Sequence, residues 1–232
     1  MNLKKFIFCA VDFKEVVEAK FLINKIKNHI GGIKVGLEFF VHNGPRAVEQ
    51  FKKFNLPIFL DLKLHDIPNT VFEATKSVLE LEPDFLSVHI SGGAKMIEKV
   101  SNIKCKTKII GITMLTSLGS RDLLELGIRF NPDKYVNNLS KMAVEHGLDG
   151  IVCSPKELVN VSSILPKKFI IITPGIRLKN NVKNDDQKRI LSPGEAILKG
   201  SKYLVIGRPI TKARNPIKVI KNIENDILKF IK

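Results

Sequence analysis

The chain of 232 residues is long enough for one large barrel domain or for two small domains. Its 44% hydrophobic and 26% charged residues are typical of a globular protein, and no apolar run approaches the roughly 20 residues that cross a bilayer. The net charge of +15 would suit nucleic acid, but only seven of the 38 basic residues are Arg and Trp is absent. We therefore expect solvated lysine faces and predict neither a nucleic-acid partner nor a membrane partner.

The first apolar run and the cysteines bear on where the chain resides. The run near the start is short and meets Asp12, so we interpret it as a first strand rather than a signal peptide. Cys9, Cys105 and Cys153 are far apart and show no CxxC spacing. This pattern argues against a disulfide framework and a zinc site, and it favours a reducing compartment. The sequence therefore predicts a cytoplasmic protein without a metal site.

Eight short runs rich in β-branched and aromatic residues recur along the chain. Nearly continuous apolar runs of this length are typical of strands buried on both faces of a parallel sheet. The runs occupy residues 6–12, 32–37, 57–64, 85–90, 108–115, 150–154, 169–176 and 203–210.

Amphipathic stretches with helical spacing lie between and after these runs. Residues 14–29 carry five apolar side chains at this spacing, namely Val16, Val17, Phe21, Leu22 and Ile26. Residues 133–147 and 215–232 show similar patterns, and the first of these two stretches ends in Gly147, a good helix stop. Eightfold strand–helix alternation predicts a single (β/α)8 TIM barrel domain over residues 1–232, with a doubly wound open sheet as the alternative.

Charged residues gather where several predicted strands end. In a (β/α)8 barrel, the functional site lies at the carboxyl ends of the strands. Asp12 ends the first strand, Lys34 lies in the second, and Asp61, Lys63 and Asp66 end or follow the third. A charged group in a core strand is costly unless it is paired or serves a reaction. A purely structural ion pair therefore stands as the alternative to a reaction site.

The third strand should have two unlike faces. Side chains alternate along a strand, so Phe59, Asp61 and Lys63 share one face. The opposite face is wholly apolar and should meet the helices; it carries Ile58, Leu60, Leu62 and Leu64. We therefore expect the charges to point toward the mouth of the barrel.

Glycine and arginine follow strands 7 and 8 in matching positions. The segments are "TPGIR", with Gly175 and Arg177, and "VIGRPI", with Gly207 and Arg208. Glycine lets backbone N–H groups approach an oxyanion and Arg adds a bidentate donor, so a phosphate site is predicted here. Ordinary turn chemistry is the alternative. The polar segment 177–189 has the composition of a lid over such a phosphate.

These residues together resemble the orotidine 5'-phosphate decarboxylase family in its bacterial form. The resemblance covers essentially the whole chain, and its most specific element is the D-x-K-x-x-D-I-P-N-T pattern of residues 61–70. The other matching segments are "VD" at 11–12, "KVG" at 34–36, "LTS" at 115–117, "PGIR" at 174–177, "DQKRI" at 186–190 and "VIGRPI" at 205–210.

The resemblance implies the loss of CO2 from C6 of orotidine monophosphate, giving uridine monophosphate in the last step of de novo UMP synthesis. It implies no cofactor and no metal. Lys63 would stabilise the C6 carbanion and then protonate it. Lys34, Asp61, Lys63 and Asp66 would form an alternating chain of charges, and these four are the implied catalytic residues.

The resemblance also implies a set of residues that bind the nucleotide substrate. Asp12 and Lys34 would hold the ribose hydroxyls, and Thr116 would face the pyrimidine. The phosphate would be held by Arg177, Gln187, Gly207 and Arg208. The implied assembly is a homodimer, in which Asp66 and Thr70 reach the partner's active site. The substrate-binding set as a whole is Asp12, Lys34, Asp61, Lys63, Asp66, Ile67, Pro68, Thr70, Thr116, Arg177, Gln187, Gly207 and Arg208.

Two other functions are compatible with parts of the pattern. Mg²⁺-dependent sugar-phosphate decarboxylases and synthases resemble the D-x-K-x-x-D pattern, but they place an acidic metal ligand where Lys34 stands. A non-catalytic barrel that binds phosphate or nucleic acid would use the +15 charge alone. The charged residues at 61–66 argue against this second function.

Overall fold

The predicted strands form a closed parallel barrel in the computed structural model, which describes residues 2–178 and 191–231. The barrel closes where β1 pairs in parallel with β8, with Phe8 opposite Val205. The fold prediction is therefore confirmed, and the open sheet is excluded. The strands are β1 (Ile7–Ala10), β2 (Gly32–Gly36), β3 (Ile58–Leu64), β4 (Phe85–His89), β5 (Lys108–Ile112), β6 (Gly150–Val152), β7 (Ile170–Pro174) and β8 (Tyr203–Ile206).

Helices surround the barrel and connect successive strands. Several begin with Pro in the first turn, where the missing N–H costs nothing, and α7 is capped by the Asn131 side chain. In the described ranges the helices are α1 (Val16–Ile26), α2 (Leu37–Asn43), α3 (Pro45–Glu49), α4 (Pro68–Leu79), α5 (Ala94–Ser101), α6 (Ser120–Glu125), α7 (Pro132–Glu145), α8 (Leu158–Ile164), α9 (Pro193–Leu198), α10 (Arg208–Thr211) and α11 (Pro216–Leu228).

Helix α1 buries only part of the apolar set that the spacing suggested, because Leu22 and Ile26 are buried and Val16 packs against the core. Its buried residues are Ala19, Leu22, Ile23 and Ile26, which recur every three or four positions and form one stripe. Val17 and Phe21 lie outside this stripe and are 76% and 74% exposed. The helix thus carries more apolar residues than its contact with the barrel can cover.

The core has an outer and an inner layer. The outer layer packs the helices against the strands, and the inner layer fills the barrel. The inner layer contains Phe8, Phe59 and Phe85, with the ring centroids of Phe8 and Phe85 5.7 Å apart in an edge-to-face contact. This apolar filling lies beneath the carboxyl ends of the strands. Among the residues described, no helix is long and apolar enough to cross a membrane.

Candidate active site

Strand β3 brings its charges to the mouth of the barrel. Phe59 packs in the inner core, whereas Ile58 and Leu60 pack in the outer core, so the predicted alternation of faces is confirmed. Asp61 follows Phe59 at the next inward position and is 9% exposed. A carboxylate this deeply placed needs partners, because an unpaired buried charge is strongly destabilising.

Four side chains form a continuous line of alternating charge. Lys34 Nζ lies 2.9 Å from Asp12 Oδ1 and 3.9 Å from Asp61 Oδ2. Lys63 Nζ lies 2.7 Å from the same Asp61 Oδ2, which places Asp61 between two ammonium groups. The line contains two carboxylates and two ammonium groups, so its formal charge is balanced. It joins the ends of β1, β2 and β3, which are neighbours in the barrel.

The backbone of β3 is irregular where these charges lie. Leu60 pairs with Leu86 and Leu64 pairs with Val88, so residues 61–63 stand opposite Ser87 alone. Lys63 adopts a φ of +53°, in the left-handed region that side chains other than glycine rarely occupy. A bulge of this kind changes the direction of a side chain, and here it bends the backbone at Lys63, the last residue in the line of charges.

Ser87 is a member of the site that the sequence analysis did not identify. Its hydroxyl donates to Asp61 Oδ1 at 2.9 Å and accepts the Lys63 backbone N–H at 2.9 Å. Ser87 is fully buried. The available signal was weak, because it consisted of a single hydroxyl residue inside the apolar run "FLSVHI".

The ends of β7 and β8 complete a cavity of about 690 Å³ beside the line of charges. Gly175 has a φ of +74°, a conformation that glycine adopts without strain. Arg177 is half-buried and Arg208 is exposed, and Gly207 approaches the first strand closely. The cavity brings together seven predicted site residues, namely Asp12, Lys34, Asp61, Thr116, Arg177, Gly207 and Arg208.

The remaining predicted residues lie elsewhere or outside the described ranges. Asp66, Ile67 and Thr70 are exposed on the loop after β3 and the start of α4, where Pro68 begins the helix. In the part of the chain that is described, Asp66 forms no ion pair with Lys63; its carboxylate accepts the Ile67 N–H at 2.7 Å. The line of charges therefore runs from Asp12 to Lys63. Gln187 and most of the predicted lid, 179–189, lie outside the described residues.

Two histidines flank the site on the side of β4. The rings of His65 and His89 lie 5.2 Å apart, and His89 is half-buried at the end of the strand. Burial is the largest cause that lowers the pKa of His89, and the nearby His65 and Lys63 lower it further, against a smaller opposing effect of Asp61. The neutral imidazole is therefore favoured at this position.

The fold and the site together define a (β/α)8-barrel protein whose charged cluster and arginine-lined cavity lie at the carboxyl ends of the strands. Comparison with known families narrows this class to one family: the model of the orotidine 5'-phosphate decarboxylase / HUMPS family matches residues 5–223. The chain belongs to this family.

Named relatives and solved structures agree with this assignment. The chain is 47% identical to an orotidine 5'-phosphate decarboxylase of Wolbachia pipientis subsp. Culex pipiens, over 90% of this chain and 93% of the relative. It is 43% identical to one from Sphingopyxis alaskensis, over 94% of this chain and 97% of the relative. The crystal structure of orotidine 5'-phosphate decarboxylase from Lactobacillus acidophilus is 32% identical, with a TM-score of 0.78, and the match covers 95% of this chain and 98% of that one.

Proposed function

We propose that the chain is a carboxy-lyase that converts orotidine 5'-monophosphate into uridine 5'-monophosphate and CO2. The observation that carries this proposal is the Lys63 ammonium, which lies 2.7 Å from the buried carboxylate of Asp61 at the barrel mouth. The relatives named as orotidine 5'-phosphate decarboxylases over most of the chain support the same reaction. The reaction would provide the last step of UMP synthesis, and a cytoplasmic location follows as part of the proposal.

The chemical difficulty of this reaction lies in the charge left on C6. The electron pair of the broken C–C bond stays in the plane of the pyrimidine ring, so the π system cannot delocalise it. A fixed cation beside C6 stabilises this charge without reorganising at the moment of reaction. Lys63 has that role in our proposal, and its Nζ then transfers a proton to C6 in place of the departing CO2.

The neighbours of Lys63 have complementary roles. Asp61 holds the ammonium group in place through the 2.7 Å ion pair, and it would lie close to the carboxylate of the substrate. Repulsion between these two carboxylates would ease as CO2 leaves. Lys34 is a second cation beside the same Asp61 oxygen, at 3.9 Å, and with Asp12 it would bind the ribose hydroxyls. Asp12, Lys34 and Asp61 thus each pair with a neighbour in the line and also line the cavity.

The phosphate would bind on the opposite wall of the cavity. Arg177, Gly207 and Arg208 supply guanidinium and backbone donors there, and Gln187 would join them from the segment between β7 and α9. Thr116 would contact the pyrimidine. Binding energy from the phosphate can support the chemical step, because a group far from C6 helps to fix the reacting ring.

We further propose that the active unit is a homodimer of single-domain chains spanning residues 1–232. Ile67 is 67% exposed in the isolated chain, next to the exposed Asp66 and Thr70, so this loop is accessible to a second copy of the chain. In the dimer, Asp66 and Thr70 would enter the partner's site together with Ile67 and Pro68. Asp66 would then extend the line of charges across the interface.

Hybrid dimers test this assembly. Lys63→Ala and Asp66→Ala each inactivate their own homodimer in our proposal. Mixing the two after reversible dissociation should restore about a quarter of the wild-type sites, because half of the dimers are hybrids and each hybrid has one intact site. If the mixture shows no recovery although hybrids form, Asp66 does not act across the interface.

The Mg²⁺-dependent alternative is disfavoured by the position of Lys34. Its ammonium lies 2.9 Å from Asp12 and 3.9 Å from Asp61, between the two carboxylates that a divalent cation would need. The donor set is therefore already occupied by a cation of the protein. The sugar-phosphate enzymes of this barrel type thus remain the less favoured function.

The decisive experiment follows the absorbance of orotidine monophosphate after protein is added in the presence of EDTA. We expect rapid loss with the wild-type chain, and a rate at least about 100-fold lower for Lys63→Ala. Lys108→Ala is the matched control, because Lys108 also pairs with an aspartate at 2.9 Å but lies where β5 begins, at the other end of the barrel. Absence of turnover by a folded wild-type dimer would refute the proposal, and sugar phosphates with Mg²⁺ would be tested next.

A further inference from the structure

We infer that Ser87 is a positioning residue for the decarboxylation, because its one hydroxyl fixes both the orientation of Asp61 and the backbone that presents Lys63. The inference rests on the proposed function. Ser87 lies in the middle of β4, fully buried, and reaches the charged line from the neighbouring strand.

The first half of this role concerns the backbone of Lys63. In a regular parallel ladder, a backbone N–H that points to the adjacent strand donates to a carbonyl of that strand. Here residues 61–63 stand opposite Ser87 alone, and the hydrogen bond of the Lys63 N–H goes to Ser87 Oγ at 2.9 Å. The side chain thus takes the place of a ladder carbonyl. It stabilises a residue held at φ +53°, a conformation that β-strand residues avoid.

The second half concerns the carboxylate of Asp61. The direction of the hydroxyl proton follows from its partners: the Lys63 N–H can only donate, and the carboxylate can only accept. Ser87 therefore donates its single proton to Asp61 Oδ1, at 2.9 Å. With Oδ1 held in this way, Oδ2 is turned toward the ammonium groups of Lys63, at 2.7 Å, and Lys34, at 3.9 Å.

Both halves depend on a hydroxyl and not on the volume of the side chain. Alanine would fill nearly the same space, but it would leave a buried N–H and a buried carboxylate oxygen without these partners. We expect the bulge and the Asp61 carboxylate to relax, which moves the ammonium away from C6. The residues proposed to bind the phosphate follow β7 and β8, across the barrel, so the affinity for nucleotide should change little.

The test compares Ser87→Ala and Ser87→Thr with a matched control, Ser140→Ala. Ser140 is also fully buried, but it lies in α7, and its hydroxyl has no hydrogen-bond partner among the described residues. We expect kcat of Ser87→Ala to fall about 10- to 100-fold, as a displaced reacting group does. Threonine should restore most of kcat, and the affinity for uridine monophosphate should stay within about 3-fold of wild type throughout. Ser140→Ala should keep the wild-type kcat.

Amide hydrogen exchange provides a readout that does not depend on turnover. The Lys63 amide should be protected in the wild-type chain and should exchange at least about 10-fold faster in Ser87→Ala, while the amides of β7 and β8 keep their protection. A wild-type kcat in Ser87→Ala, or an unchanged exchange rate at Lys63, would overturn the positioning role. A wild-type chain that protects this amide but does not decarboxylate orotidine monophosphate would overturn the proposed function instead. Uniform loss of protection across the barrel would show a role in folding alone and would also overturn the inference.

Discussion

Replacing Gly36 by alanine should damage the substrate site while leaving the fold nearly intact. Gly36 ends β2 and has φ −86° and ψ 172°, which any residue adopts without strain. An added Cβ would lie 2.7 Å from Asp12 Oδ1 and 2.8 Å from Lys34 Nζ. The steric conflict therefore involves the tips of two flexible side chains, and these two are proposed to bind the ribose.

The size of the effect follows from these distances. Ordinary contact begins at 3.4 Å, so the carboxylate oxygen must shift by about 0.7 Å and the ammonium by about 0.6 Å, the differences 3.4 − 2.7 and 3.4 − 2.8. A displacement of 1 Å in a reacting assembly can cost about 100-fold in rate, so this one should lower kcat/KM about 20-fold, or about 1.8 kcal/mol. The free energy of unfolding should fall by less than about 1 kcal/mol, which corresponds to a Tm change of about 2–4 °C at most.

The assay measures kcat/KM with orotidine monophosphate and the thermal unfolding of the same preparation. Gly32→Ala is the control with the opposite expectation, because a Cβ there would overlap the ring of Phe8 in the inner core. Overpacking of this kind costs about 1–3 kcal/mol of stability. If Gly36→Ala loses as much stability as Gly32→Ala, or keeps the wild-type kcat/KM, the argument from side-chain displacement is wrong.

Other predictions concern thiols, pH and helix capping. Only the exposed Cys105 should react with an aromatic disulfide reagent in the native chain at pH 8, because burial raises the pKa of Cys9 to about 12 and also raises that of Cys153. All three thiols should react in denaturant, and a second thiol that reacts fast in the native chain would contradict this prediction. Burial lowers the pKa of His89 below 6.5, so the folded state binds fewer protons than the unfolded state, and the free energy of unfolding should fall as the pH drops through 6.5. In urea titrations at several pH values, His89→Gln should make the free energy of unfolding depend less on pH, and an unchanged dependence would exclude His89 as its source. Asn131→Ala should lower the free energy of unfolding by about 1 kcal/mol by removing the bond to the Lys134 N–H, and an unchanged urea midpoint would show that the cap contributes nothing.

Much of the candidate site was predictable because the positions of strands can be inferred from the apolar runs of a sequence. Asp12 ends the first apolar run, while Lys34 and Asp61 are charged residues within the next two runs, and the parallel strands of a barrel bring these residues together. The same rule indicated Arg177 and Arg208, which line the same cavity. The positions of these residues in the sequence were sufficient to predict that they come together, since the rule depends on strand direction and not on detailed geometry.

Ser87 and Asp66 show where reasoning from sequence alone stops. The serine was not identified, because its role depends on a register shift between β3 and β4 that no single-strand pattern encodes. Asp66 was grouped with Lys63 by the motif, but in the isolated chain it points to the adjacent backbone N–H and is exposed. On helix α1 the expected apolar face was wrong at Val17 and Phe21, which the helical period itself places away from the buried Leu22 and Ile26.

The eight strands and the family could be inferred from the order of residues along the chain, since apolar runs and a specific motif are properties of that order, and the barrel was the favoured way to arrange the strands. How the charges pair could not be inferred in this way. Lys34 and Lys63 share one oxygen of Asp61, and a hydroxyl from the next strand holds the other oxygen. Such pairing depends on distances of 2.7–3.9 Å between residues on different strands, and these distances are fixed by barrel register and by the bulge in β3.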